Sequence, residues 1–247
     1  MPRGRGPRPW GPRRWGARRT AVLAVPAAAL MLGLALSCGG GGGGEPGEEP
    51  GEETGGPEGV APGDRVVFTC DDGYRFAARF RDDAVSLVLP YAVVDLPRAD
   101  AQGRYTDGGR FLRVWGDRQA RYESADGGRR RCSGVAAADP REESALLGYD
   151  YRAQGQEPGW VLEIDRDGSI RYAGDYGETI LVVPVPPIRD SAGSQILHAT
   201  GTPDLRIVLT PGPCSDTMSG EAFPEHVEVT VDGVVLAGCG GRLDERP

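Results

Sequence analysis

The sequence lacks the residues on which several common catalytic and metal sites depend. It has no lysine and only two histidines, His198 and His226. Two histidines are too few for a usual zinc site once the cysteines are oxidised. No Gly-x-Ser-x-Gly nucleophile elbow occurs, and only these histidines are available as a base for Ser215. The sequence therefore disfavours a zinc enzyme and a serine hydrolase, and we expect neither enzymatic activity nor a cofactor.

A long amphipathic helical pattern is also missing from the chain after residue 65. Apolar residues alternate with polar ones instead, as in residues 74–80 and 160–164. The Asp-Gly pairs at 126–127 and 167–168 are typical of tight turns between antiparallel strands. The pattern predicts an all-β protein with two small antiparallel β-barrel or sandwich domains, each holding one disulfide.

The beginning of the chain has the pattern of an export signal. Residues 1–19 contain seven arginines and no acidic residue, and residues 21–36 are uncharged and rich in Ala and Leu. Residues 34–39, Leu-Ala-Leu-Ser-Cys-Gly, resemble a bacterial lipobox, in which Cys38 carries the lipid, for example palmitate. This predicts a lipoprotein of the cell envelope, anchored to a membrane on its periplasmic face or in the outer membrane. A retained membrane-anchor helix is the alternative.

Composition divides the rest of the chain into a tether and two β regions. Residues 39–64 contain Gly, Glu and Pro with almost nothing apolar, so they cannot bury enough surface to offset the entropy of ordering. The predicted order is a signal peptide over 1–37, the lipidated Cys38 with a disordered tether over 38–64, a β-barrel domain over 65–134, a linker over 135–143 and a second β domain over 144–242.

The charge balance narrows the class of partner. The whole chain has a formal charge of −8, and removal of the arginine-rich leader leaves 21 basic and 36 acidic residues, or −15. A field of this sign favours cationic partners and argues against nucleic acid. The sequence does not indicate an oligomeric state.

Four cysteines remain besides Cys38. Cys70 and Cys132 bracket the first β region, and Cys214 and Cys239 lie in the second. In an exported chain, pairing within each region is the simplest of the three possible connectivities. A link between Cys70 and Cys214 would contradict the division into two domains.

Three short motifs lie in order between residues 66 and 132. They are Thr-Cys-Asp-Asp-Gly-Tyr at 69–74, Arg-Tyr-Thr-Asp-Gly at 104–108 and Trp-Gly-Asp at 115–117. Together with the closing Cys132 they resemble the membrane-bound lysozyme inhibitor family that targets C-type lysozyme. The resemblance implies a small antiparallel β-barrel whose first and last regions are joined by a disulfide. It also implies inhibition by loops that enter the lysozyme cleft and bond to its two catalytic carboxylates.

The resemblance assigns candidate lysozyme contacts to Ala101, Gln102, Tyr105, Asp107, Arg113, Trp115, Gly116 and Arg118. Ala101 and Gln102 stand where the family has Ser-Gly, so the family's hydroxyl donor is replaced. The family also has Trp-x-Lys-Gly, whereas Gly116 directly follows Trp115 here, and Arg113 or Arg118 would supply the cation. A structural or assembly lipoprotein that uses the same barrel without inhibition is the alternative, in which the matching residues serve packing and turns.

The second β region resembles an uncharacterised envelope domain that recurs in bacterial lipoproteins. The resemblance rests on residues 155–160, 213–219, 223–224 and 238–240, and it implies no activity. Within this region, residues 163–168 resemble the start of a calcium loop, but position twelve is Gly174 and the flanks are predicted strands. A hairpin turn is favoured there, no metal site is expected, and an unknown enzyme is the least favoured function.

Overall fold

The computed structural model describes residues 59–165, 168–201 and 203–244, and these are almost entirely β-structure, as expected. They belong to one compact unit of the chain, Thr54–Pro247. The predicted signal peptide, Cys38 and most of the tether lie outside the described residues.

Sheet 1 is antiparallel and forms a nearly closed barrel. Its edge strands β4 and β5 approach each other where the Ala99 amide donates to the Arg104 carbonyl at 2.7 Å and Arg98 bridges to Tyr105. The strand order is β4-β3-β2-β1-β8-β7-β6-β5, with β1 (Arg65–Cys70), β2 (Arg75–Phe80), β3 (Ala84–Leu89), β4 (Ala92–Pro97), β5 (Arg104–Thr106), β6 (Phe111–Trp115), β7 (Gln119–Glu123) and β8 (Arg129–Ala137).

Aromatic side chains fill the interior of sheet 1. Phe68 and Phe76 stack with ring centroids 5.3 Å apart, and Tyr122 lies 4.9 Å from Phe76. Tyr105 meets Phe80 edge-on at 5.8 Å. These pairs lie in the separation range at which aromatic contacts stabilise a core beyond their buried area. The period-two pattern of the sequence therefore identifies the inward face of these strands.

A helix, α1 (Pro140–Leu147), begins inside the predicted linker, and β8 already extends into that linker as far as Ala137. The expectation of a linker over 135–143 is therefore corrected. Asp139 caps the helix by accepting a hydrogen bond from the Glu142 amide at 2.8 Å, and Pro140 occupies the first turn. Gly148 ends the helix at φ 107°, a left-handed conformation that favours glycine.

The helix covers an apolar patch on the outer face of sheet 1. Val67, Ala77 and Val88 point away from the barrel interior and are buried, with Leu146 and Leu147 packed against them. The outer face of β1, β2 and β3 is thus partly apolar, because it faces the helix rather than water.

Sheet 2 is a nine-stranded antiparallel half-barrel. Its interior holds Tyr151, Leu162 and Ile207, which are all fully buried. The strand order is β12-β11-β10-β9-β17-β16-β15-β14-β13, with β9 (Tyr149–Gln156), β10 (Gly159–Asp165), β11 (Ser169–Gly174), β12 (Thr179–Pro184), β13 (Arg189–Ser191), β14 (Ser194–Ala199), β15 (Leu205–Ser215), β16 (Ala222–Val231) and β17 (Val234–Arg242).

Both predicted disulfides are confirmed. Cys70 and Cys132 are directly opposite each other on β1 and β8, and Cys214 on β15 is joined to Cys239 on β17. The second disulfide packs against Phe223 of the intervening strand β16. Each bond therefore ties together strands of a single sheet.

We expect the Cys70→Ser, Cys132→Ser double variant to lose about 4 kcal/mol of unfolding free energy, because its loop of 62 residues regains chain entropy when unfolded. The Cys214–Cys239 disulfide closes a loop of only 25 residues, so the matched Cys214→Ser, Cys239→Ser variant should lose about 3.5 kcal/mol of unfolding free energy. Urea unfolding under oxidising conditions measures both losses. A stability unchanged in either variant would contradict this account.

Candidate functional site

Most of the candidate lysozyme contacts lie at one end of sheet 1. Arg104 of β5 is paired with Arg113 of β6, and the Val114 amide donates to the Gly103 carbonyl at 3.2 Å. The loop before β5 therefore lies beside the turn after β6. We call residues 98–103 and 115–118 together the loop end.

The first half of the loop end is organised around Asp100. Its carboxylate accepts hydrogen bonds from the Gln102 amide at 2.9 Å and the Arg104 amide at 3.2 Å, and it also pairs with the Arg104 guanidinium. Ala101 and Gln102 are exposed at the tip. The loop can therefore present its backbone and the Gln102 amide side chain to a partner, but it has no hydroxyl at Ala101.

The second half of the loop end is the tight turn between β6 and β7. Gly116 has φ 50° and Arg118 has φ 56°, so a non-glycine residue occupies the left-handed region. Such a conformation costs on the order of 1 to 3 kcal/mol and persists only where surrounding contacts enforce it. The Arg118 carbonyl accepts from the Gly134 amide at 2.8 Å, and Trp115 is half-buried at the start of the turn.

Tyr105 and Asp107 do not belong to the loop end. Tyr105 is 1% exposed in the barrel core, and its hydroxyl accepts from Arg98 at 3.3 Å, so it cannot contact a partner at the surface. Asp107 lies in the β5–β6 hairpin at the opposite end of the sheet. It accepts from the Arg110 amide at 2.6 Å and the Gly109 amide at 2.8 Å, and these bonds hold the pKa of its carboxyl below the ordinary value. The structure assigns these two residues to packing and to a turn.

A row of arginines crosses the outer face of sheet 1 next to the loop end. Arg113 is opposite Arg104 on one side and Arg121 on the other, and Arg121 is opposite Arg131. Like charges directly opposite each other destabilise a sheet. Only Arg113 was a sequence candidate. The other members could have been found only by assuming the strand register, which places residues 104, 113, 121 and 131 side by side.

A second charged cluster is buried on the outer face of sheet 2. Arg152, Glu163 and Arg171 are directly opposite one another on β9, β10 and β11, and each is at most 5% exposed. Glu163 accepts from Arg152 at 3.1 Å and from Arg171 at 3.2 Å, and Ser144 of α1 also donates to it. The alternating pattern predicted solvent on this side of β10, so the buried Glu163 is a finding that sequence reasoning missed.

The helix carries a matching acidic residue toward sheet 1. Glu143 is 2% exposed and pairs with Arg79 at 2.5 Å and with Arg65 at 3.3 Å. Burial alone would raise the pKa of the Glu143 carboxyl, but the hydrogen bond and charge of Arg79, together with the charge of Arg65, lower it. The carboxylate is therefore ionised and ties α1 to β1 and β2.

The remaining residues singled out in the sequence lie in a hairpin and on a strand. Strand β10 ends at Asp165 and β11 begins at Ser169, directly after Gly168 at φ 85°. A strand hairpin therefore occupies the segment for which a calcium loop was the weaker alternative. His226 is exposed on β16, as its alternation with buried valines predicts. Within the described ranges, no group of three or more potential ligand side chains is placed to hold a metal ion. None of the helices in those ranges has both the length and the apolar character needed to cross a bilayer.

The chain matches no protein-family model, no curated protein and no solved structure. The resemblance of residues 66–132 to the lysozyme inhibitor family accordingly rests on their sequence motifs alone.

We expect Glu143→Gln to lower the unfolding free energy by about 1 to 3 kcal/mol at about pH 7, between the values for exposed and buried ion pairs, because the carboxylate is buried but its arginine partners are partly exposed. The lowered pKa of Glu143 means that its contribution is complete above 4.5, its ordinary value, and is lost as the pH falls through the folded-state pKa. The variant should therefore lose less stability on acidification than the parent. Urea unfolding over a pH series measures this, with the exposed Glu178→Gln as the matched control.

Proposed function

We propose that the protein is an envelope lipoprotein whose sheet 1 barrel binds C-type lysozyme, or a related cationic wall hydrolase, and blocks its active-site cleft. The observation that carries the proposal is the loop end, where the loop that holds Gln102 lies beside the turn that holds Trp115 and Arg118, next to the arginine row. The disulfide between the first and last barrel strands agrees with what the family resemblance implies.

The chemistry of the loop end suits an acidic cleft inside a basic enzyme. A glycosidase of this class needs one carboxyl group protonated and one ionised, with room for the sugar between them. A guanidinium at that place would pair with the ionised carboxylate and exclude the substrate. Arg113 is the candidate donor, because it lies on β6 two residues before Trp115 and between Arg104 and Arg121 of the row.

The half-buried Trp115 would supply the apolar contact. Tryptophan and arginine are the residue types that most often dominate binding energy at protein interfaces. The charge of −15 on the chain without its leader would accelerate encounter with a basic hydrolase. The proposal therefore assigns long-range attraction to the whole chain and specific contacts to the loop end.

Purified full-length protein should reduce cell-wall lysis by hen-type lysozyme and should form a complex with it by size-exclusion chromatography. Added salt should slow association, because it screens the attraction between oppositely charged proteins. Full lysis at a large molar excess, with no complex, would contradict inhibition of C-type lysozyme. It would favour a structural envelope role, in which the motifs serve the packing and turns seen at Tyr105 and Asp107.

We expect Trp115→Ala and Arg113→Ala each to weaken inhibition by about tenfold or more, the loss that corresponds to at least 1.4 kcal/mol. Inhibition constants from the lysis assay measure the effect. The matched controls are Tyr91→Ala and Arg129→Ala, which should leave inhibition unchanged. Both residues are exposed and lie at the opposite end of sheet 1, Tyr91 between β3 and β4 and Arg129 at the start of β8. Equal losses in the controls would contradict the assignment of the contacts to the loop end.

A further inference from the structure

A cleft of about 270 Å³ lies between the outer faces of the two sheets. Val88 and Val93 of sheet 1 form one wall, and Val161 and Ala173 of sheet 2 form the other. In sheet 2 these apolar residues share a face with Arg152 and the rest of the buried charged cluster. The cleft is therefore apolar along its walls and charged at its base.

Positive charge exceeds negative charge among the residues that line the cleft. Arg79, Arg152 and Arg171 line it together with one carboxylate, that of Glu163, and Arg79 is also paired with Glu143 of α1. Both oxygens of this carboxylate are already bonded, Oε1 to Arg152 and Oε2 to Arg171. Glu163 is thus neutralised by its neighbours and does not oppose the entry of a second anion.

Arg171 has donor capacity left over. Its side chain is 5% exposed, its Nε donates to the Pro90 carbonyl at 3.2 Å, and its Nη1 donates to Glu163 at 3.2 Å. Its Nη2 is buried and has no acceptor among the residues that the structure describes. A buried donor without a partner destabilises the folded state, and a charged donor does so more strongly. Arg171 is among the residues that line the cleft, so a rotation of its guanidinium toward an acceptor placed there would remove this destabilisation.

The negative charge around Arg152 is also too small to offset the burial of its guanidinium. Burial lowers the pKa of its guanidinium, and the attraction of Glu163 and Glu143 only partly offsets that effect. An added anion nearby would favour the charged form of this side chain.

Aromatic residues border the remaining side of the cleft. Trp160 is 2% exposed and lines it, and Tyr176 lies against Gly159 although it is 83% exposed. Asp175 and Tyr176 both have positive φ, at 49° and 57°, so the backbone holds this ring in place at some energetic cost. Strain of this kind concentrates at ligand sites.

We propose that this cleft binds a small organic carboxylate, with the carboxylate accepting from Arg171 Nη2 and a short apolar body lying against Val88, Val93 and Val161. The apolar walls favour such a ligand over an inorganic anion, and the excess of arginine favours it over a neutral alcohol. The site is independent of the loop end, so it stands whether or not the barrel inhibits lysozyme.

Isothermal titration of the purified full-length protein with hexanoate, 1-hexanol and inorganic phosphate at constant ionic strength tests the proposal. Hexanoate should bind at least tenfold more tightly than either of the others, because only hexanoate has both the charged head and the apolar body. Equal binding of hexanol would remove the role of the arginines, and equal binding of phosphate would remove the role of the walls. Either result would overturn the proposal.

Two variants locate the site. Arg171→Gln should weaken hexanoate binding at least tenfold while leaving hexanol unchanged, although it can also disturb the buried cluster. Val161→Phe retains every charged group and fills the cleft, so it should likewise abolish tight binding of hexanoate. Its matched control is Val235→Phe, at an exposed position on β17, which should bind as the parent does. Unchanged affinity in Val161→Phe would rule out this cleft.

Discussion

The pairing of four arginines with two buried glutamates joins helix α1 to both sheets of this protein. Glu143 binds Arg65 and Arg79 of sheet 1, while its neighbour Ser144 bonds to Glu163 at the centre of the Arg152 and Arg171 pair. One turn of α1 therefore contacts charged groups of both sheets. Buried ion pairs contribute little net stability over apolar replacements, but removing one partner leaves an uncompensated charge. Such a cluster tolerates few changes and fixes the position of the helix.

Sheet 1 has one outer face that is covered by α1 and another that is not. Its β1–β3 face is covered by α1, whereas its β5–β8 face carries the arginine row and is open. The Cys70–Cys132 disulfide joins β1 to β8, the neighbouring strands at the boundary between these two faces. The contacts of the covered face stabilise the fold. The open face can therefore carry the arginine row, in which adjacent like charges are unfavourable.

Much of the fold could be predicted from the sequence, because strands with one solvent face show their period directly. Residues 74–80 and 160–164 are examples of such strands. Both disulfides could also be predicted, because each pair of cysteines lies within one β region. The end of β8 and the start of α1 within residues 135–143 could not be predicted, and neither could the burial of the polar face of β10. Helix α1 is too short for a clear periodic signal and is defined by its Asp139 and Gly148 caps. Glu163 is buried because a second layer covers it, and no local pattern reveals such a layer.

The candidate site was predicted only in part, for a related reason. Motif spacing brought together Gln102 and Trp115, but it also included Tyr105, whose burial depends on barrel closure. The arginine row became visible only with the strand register. Carboxylates of the chain itself offset part of the repulsion within the row, Asp100 at Arg104 and Glu123 at Arg121. A carboxylate in the cleft of a bound hydrolase would offset more of it and would stabilise the barrel through thermodynamic linkage.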